Sequence, residues 1–291
     1  MLLMRNRKDV DLHFADCGTG MVFIDGGSRQ QVIMPDPETL NGMQPYLKAW
    51  MDRGTLSADM PTNSVILLEV AQPLADTVGR FTTTAPAGYA PDAPGGAGLA
   101  ETPVRFGGNI TFLGYERGSA APFPPGGIVT TITYWRVDGA VPPDLRLFTH
   151  VLADPATAPA AQNDTISVDV RQLESRDVFI QIVFVPLPVA IPPGQYGISI
   201  GAYTAANNVR LPVMDDRLGA RHARLIIASM RRVSDAQKVL AHAKGVPVLA
   251  RVFEDHEAEA IRRLGGIPVS NSEAAVEQFM KWFQAGQKTA A

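Results

Sequence analysis

Between Gly127 and Val137 the chain reads GIVTTITYWRV, and this run limits the fold more than any other. Val129, Thr131, Thr133 and Trp135 alternate with Ile128, Thr130, Ile132 and Tyr134. β-Branched and aromatic residues at period two suit a pleated strand. They suit a helix poorly, because the preceding helical turn restricts their χ1 angle. Pro124-Pro125-Gly126-Gly127 leads in and Val141-Pro142-Pro143-Asp144 leads out, which is turn chemistry. The run therefore predicts one strand of an antiparallel sandwich.

The same pattern extends from Val104 to about Val213. Further strands are predicted at Asn109–Tyr115, Arg146–Ala153, Ile166–Val170, Val178–Val185 and Gln195–Tyr203, with proline or glycine in nearly every gap. Short strands at that spacing predict an immunoglobulin-like antiparallel β-sandwich over residues 101–214. Residues 1–100 read as an irregular α+β segment. Short strands are expected at Gly20–Asp25, Gln31–Met34 and Ser64–Val70, and a helix at Pro45–Arg53 with Pro45 in its first turn. Residues 82–99, rich in Ala, Pro, Gly and Thr, read as a linker. After Asp215 the pattern changes. Strands at Arg224–Ser229, Val246–Phe253 and Ile267–Val269 alternate with helices at Ser234–Lys244, Asp255–Leu264 and Ser272–Gln284. That alternation predicts a small parallel α/β unit, a half-Rossmann βαβαβα, over 219–285.

Bulk properties exclude several functions. A net charge of −3 gives no electrostatic case for nucleic acid. Cys17 is the only cysteine, so neither an internal disulfide nor a cysteine-based metal site can form. The uncharged run Val178–Tyr203 contains Pro186, Pro188, Pro192 and Pro193, so it reads as two buried strands and not as a transmembrane segment. Arg5, Arg7 and Lys8 interrupt the apolar start, so no secretory signal is expected and the chain as given reads as cytoplasmic.

Candidate chemistry is sparse. Asp255-His256-Glu257 sets carboxylates beside an imidazole, but adjacent helical residues do not face one another, so no metal site is expected there. Ser229, Arg231 and Arg251 stand at the carboxyl ends of two predicted strands, where open α/β sheets hold ligands. With Arg232 they could grip a phosphate or pyrophosphate; the alternative is solvated arginines beside Asp235, Glu254 and Asp255. Asn109-Ile110-Thr111 and Asn163-Asp164-Thr165 match the glycosylation sequon. Tyr115, Tyr134 and Trp135 could stack on a sugar, although strand alternation sends Trp135 to the sandwich interior.

Two family resemblances follow from these residues. GGNITFLGYE, PGGIVTTITYWRV, LRLFTHVL, IPPGQYGISIGAY and VRLPV, in that order, resemble the C-terminal extracytoplasmic β-sandwich of membrane glycosyltransferases that use polyprenyl-phosphate sugars. In that family the chemistry belongs to the membrane-embedded part. The resemblance thus implies an accessory module, not an enzyme, that binds glycan or a partner protein. The tail segments ARLIIAS, VPVLARV and EAEAIRRLGG look like the second half of a regulator-of-potassium-conductance domain, the nucleotide-binding gate of potassium channels and Kef-type antiporters. That resemblance implies a sensor of NAD(H) or ATP, but the half carrying the glycine fingerprint and the ribose-binding acid is absent. Parallel strands left at an open sheet edge seek a partner, so a homo-oligomer formed through the open α/β sheet edge is expected. Gly266–Phe283 is in addition similar to the CoA-binding part of ADP-forming acyl-CoA synthetases. A third reading is a frame that joins fragments of two genes, with no selected function.

Overall fold

The computed structural model describes residues 11–34, 37–60, 63–84, 87–89, 98–116, 123–154, 157–215, 219–222, 225–233, 249–251 and 267–269, and from 215 onward these are backbone positions. The chain divides into two compact units, 1–232 and 233–291. The first strands are β1 (Gly20–Phe23), β2 (Gln30–Met34), β3 (Thr55–Met60), β4 (Asn63–Leu68), β5 (Ala87–Tyr89) and β6 (Gly98–Ala100). Then come β7 (Val104–Phe106), β8 (Ile110–Glu116), β9 (Ile128–Val137), β10 (Leu145–Leu152), β11 (Ala161–Thr165) and β12 (Val178–Pro186). They are followed by β13 (Gly194–Thr204), β14 (Val209–Arg210), β15 (Val213–Asp215), β16 (Gly219–His222) and β17 (Leu225–Val233). The last two are β18 (Leu249–Arg251) and β19 (Ile267–Val269). The described helices are α1 (Pro37–Gly42), α2 (Pro45–Met51) and α3 (Ala71–Thr84).

The first unit is a mostly antiparallel β-sandwich. One sheet runs β1, β12, β9, β8, β7, β15, β16, and the other runs β11, β10, β13, β17, β5, β6, with β14 also on β13. In β9 the period-two pattern becomes geometry. Val129, Thr131, Thr133, Trp135 and Val137 are all buried, whereas Ile128, Thr130, Ile132 and Arg136 on the other face keep some exposure. Trp135 lies inside against Phe106 and Phe112, with ring centroids 5.5 and 5.3 Å away, and its indole N–H donates to Thr133 Oγ1 at 3.0 Å. Tilted ring contacts of this kind add to the burial of a large apolar surface.

Tyr134, on the outer face, is also fully buried, because α2 and α3 cover it. Pro45 opens α2 and the Gln44 side chain caps it, placing Leu47, Trp50 and Met51 on one buried face. Trp50 packs on Phe23 of β1 at 5.1 Å, and Phe81 of α3 packs on Tyr134 at 5.0 Å. Phe81 sits over Gly114, the glycine of a β-bulge in β8 whose φ is +148°. Tyr46 donates to Glu116 Oε1 at 2.7 Å and is hydrogen-bonded to the Tyr134 hydroxyl. A separate three-stranded sheet, β2-β4-β3, precedes α3. Within the stretch read as linker the structure has the short pair β5–β6.

Two expectations need correction. Residues 166–170 are not a strand: β11 lies earlier, and Val170–Gln172 is a 3₁₀ turn whose Asp169 cap accepts from Arg171 N. The half-Rossmann unit is also unsupported. Its first expected strand is β17, which pairs antiparallel with β5 and lies beside β13 in the second sandwich sheet. A β-rich apolar run can complete either kind of sheet, and here the open flank of β13 takes it. The homo-oligomer expected through an open α/β edge loses its basis with it. In the second unit β18 and β19 pair in parallel, Leu249 with Ile267 through Arg251 with Val269. The helices expected at 234–244, 255–264 and 272–284 lie outside the described residues. Among the described residues no helix is long and apolar enough to cross a membrane.

Candidate functional site

The most developed polar surface is on the outer face of the second sheet. Directly opposed residues of antiparallel strands share a face, with Cβ atoms about 5 Å apart. Arg146 of β10 lies opposite Tyr203 of β13, and Tyr203 lies opposite Arg210 of β14. The three form one row across three strands, with both arginines exposed and Tyr203 half-buried. One step along, the Phe148 ring is covered by the Arg210 guanidinium at 5.0 Å and stacks on His150 at 4.6 Å with an interplanar angle of 31°. Asp164 of β11, opposite Phe148, approaches His150 Nε2 at 3.3 Å. Burial raises the Tyr203 hydroxyl above the usual tyrosine range, and the charge and hydrogen bond of Asp164 push it the same way. Tyr203 thus stays a neutral donor at any physiological pH.

The hairpin carrying Arg210 is fixed at its tip. Ala206 N donates to Asp144 Oδ2 at 2.7 Å and Ala205 N to the Asp144 carbonyl at 3.0 Å. Asn208 supplies the left-handed turn residue, with φ +53°. Arg146 Nη1 in turn donates to the Leu145 carbonyl at 3.1 Å.

Two clefts lie elsewhere on the first unit. One of about 570 Å³ is lined by Asp25, Ser28, Arg136, Asp138 and Arg176 among others. Its charges pair internally, Arg176 with Asp25 at 2.9 Å and Arg136 with Asp138 at 2.7 Å. Below it Asp177 is buried, accepting from Asp25 N at 3.0 Å and Glu174 N at 2.8 Å, with His13 Nδ1 3.4 Å away. The other cleft, about 310 Å³, includes Asp16, Thr19, Ser167 and Asp169. There Thr19 and Ser167 share a hydroxyl hydrogen bond of 2.8 Å, and buried Gln181 donates to Ser167 Oγ at 2.9 Å. These bonds tie β1 and the 165–177 loops to one another and to β12.

Ser229 and Arg231 fall on β17 and Arg251 on β18, in different units, and their side chains lie outside the described residues. The same holds for Asp255-His256-Glu257. Tyr115, Tyr134 and Trp135 are 3%, 0% and 1% exposed, so none is available to stack on a sugar. Both sequon amides are engaged: Asn109 Nδ2 donates to the Ala140 carbonyl and Asn163 Nδ2 to the Phe184 carbonyl, each at 2.8 Å.

The Arg146–Tyr203–Arg210 row escaped the sequence reading, because cross-strand register joins residues 57 and 64 positions from Arg146. A second overlooked pattern is Gly197-Ile198-Ser199-Ile200-Gly201, which has the spacing of a nucleophile elbow. Here it runs straight through β13 and makes no strand-to-helix turn. Ser199 lies opposite His150, but its hydroxyl is fully buried and has no hydrogen-bond partner among the described residues. Among the described residues no group of three His, Cys, Asp or Glu side chains could hold a metal ion.

No protein-family model matches the chain, and no curated protein matches it. Among solved structures, the C-terminal domain of Wzt is similar at a TM-score of 0.34 and 12% identity, over 54% of this chain and 86% of that one. Neither family resemblance drawn from the sequence is supported by these comparisons.

Proposed function

We propose that the first unit is a non-catalytic, immunoglobulin-like binding module that takes a glycan on the outer face of β10, β11, β13 and β14. The observation that carries this reading is the row Arg146–Tyr203–Arg210 with Asp164 and Gln162 beside it on exposed strand positions. Saccharides present hydroxyl pairs and flat C–H faces. Planar polar groups such as guanidinium, carboxylate and amide match the first, and an amphipathic ring such as tyrosine matches the second. β10 and β13 are paired on both sides, and β11 and β14 are hydrogen-bonded in register to them, which keeps these groups in place before binding, so little ordering entropy is lost.

The test is affinity electrophoresis of the purified protein through gels containing dextran, yeast mannan or polygalacturonate. Retardation by at least one polysaccharide is expected, and Tyr203→Ala should weaken it at least tenfold while leaving the melting temperature within a few degrees. Migration unchanged by every polysaccharide would sink the reading.

A further inference from the structure

We infer that the glycan taken by this face carries an anionic group, a carboxylate or a phosphate, seated between Arg146 and Arg210. The inference rests on the glycan reading above and adds the charge of the ligand. Four charged side chains meet here: Arg146, Arg210, Asp144 and Asp164. Both acids engage protein partners, Asp164 while keeping part of its carboxylate exposed. Asp144 accepts from the hairpin backbone at Ala206 N, and Asp164 faces His150 and Tyr203. Neither guanidinium forms an ion pair among the described residues. Arg146 is steadied by the Leu145 carbonyl, and Arg210 by the Phe148 ring. Both are therefore positioned without being neutralised. Strand spacing sets their Cα positions about 10 Å apart with that of Tyr203 between them, and the Arg210 side chain reaches back over the Phe148 ring of β10, the strand that carries Arg146. An acidic group seated there can meet either guanidinium while the sugar ring lies against Tyr203. Guanidinium is the side chain best shaped for this, since its fork donates two parallel hydrogen bonds to a carboxylate or phosphate.

The experiment compares polygalacturonate, a phosphate-bearing mannan, neutral dextran and neutral mannan, with poly-glutamate as a protein-like acid. Isothermal titration would be run at 50 and at 500 mM KCl. Binding to one or both acidic saccharides, several-fold weaker at high salt and at least tenfold weaker in Arg146→Gln/Arg210→Gln, is the expected result. Which acid wins tells carboxylate from phosphate. Equal binding of the neutral polysaccharides, undiminished in the double variant, overturns the anionic inference and leaves the glycan reading standing. Binding to poly-glutamate alone overturns both in favour of an acidic protein partner. Each variant's melting curve is recorded, and Arg146→Lys/Arg210→Lys should recover the salt dependence without the full affinity.

Discussion

Gly114→Ala should be among the most damaging single-methyl changes in the first unit. A Cβ at this position would overlap Cδ2, Cγ and Cβ of Phe81, the aromatic by which α3 packs on Tyr134. Carbon atoms pack best at about 3.5–4.0 Å, so the ring must shift by on the order of 1 Å. Phe81 is 3% exposed and has little room to do so. Expelling a buried phenylalanine is comparable to truncating it, about 3–5 kcal/mol. The backbone adds to this, since φ of +148° strains any residue with a side chain by about 1–3 kcal/mol. Partial relaxation brings the expected loss to about 4 kcal/mol or more, a large share of a typical domain stability of about 5–15 kcal/mol. Urea unfolding followed by far-ultraviolet circular dichroism measures it. The decisive control is Phe81→Ala in the same background. If the two residues collide, removing the ring relieves the methyl, and the double variant loses much less than the sum of the single losses. Additivity within about 0.5 kcal/mol, or a loss below about 1 kcal/mol for Gly114→Ala alone, refutes the reasoning.

Three further outcomes are expected. Trp135→Ala should cost about 3–5 kcal/mol in the same unfolding assay, since the ring is 1% exposed between Phe106 and Phe112. Asp177→Ala should cost about 2–4 kcal/mol, because it strands the N–H groups of Asp25 and Glu174, and hydrogen exchange at those two amides should accelerate. Stability should fall as pH rises above about 10. Burial, first of all, holds Tyr46 and Tyr134 protonated well beyond the usual range, while the unfolded chain releases both protons near pH 10. The unfolded state then binds fewer protons, so each tyrosine removes up to about 1.4 kcal/mol per pH unit, and the full contribution is present below pH 10. Tyr46→Phe should flatten that alkaline slope in pH-jump unfolding titrations, and an unchanged slope would contradict the assignment.

Period-two alternation alone determined the heart of this protein. The strand read at Ile128–Val137 is β9, and the inward direction of Trp135 followed from its parity with Val129, Thr131 and Thr133. Alternation is local, so it survives whatever the rest of the chain does. What alternation cannot say is which strand lies beside which. The tail run Arg224–Ser229 looked like the start of a parallel unit and instead became β17, antiparallel to β5, because pairing is settled by an available sheet flank. Tyr134 had the parity of an outward residue, yet α2 and α3 bury it, and only long-range packing of Trp50 and Phe81 reveals that. The α3 helix hid for a related reason. Leu74, Thr77 and Phe81 mark its buried face, but Thr77 is polar and Gly79 weakens the helical signal. The candidate site was the least legible of all. Arg146, Asp164, Tyr203 and Arg210 are ordinary residues in four separate segments, and none carries a local motif. They become a surface only because antiparallel register, a property of the folded sheet, sets them side by side.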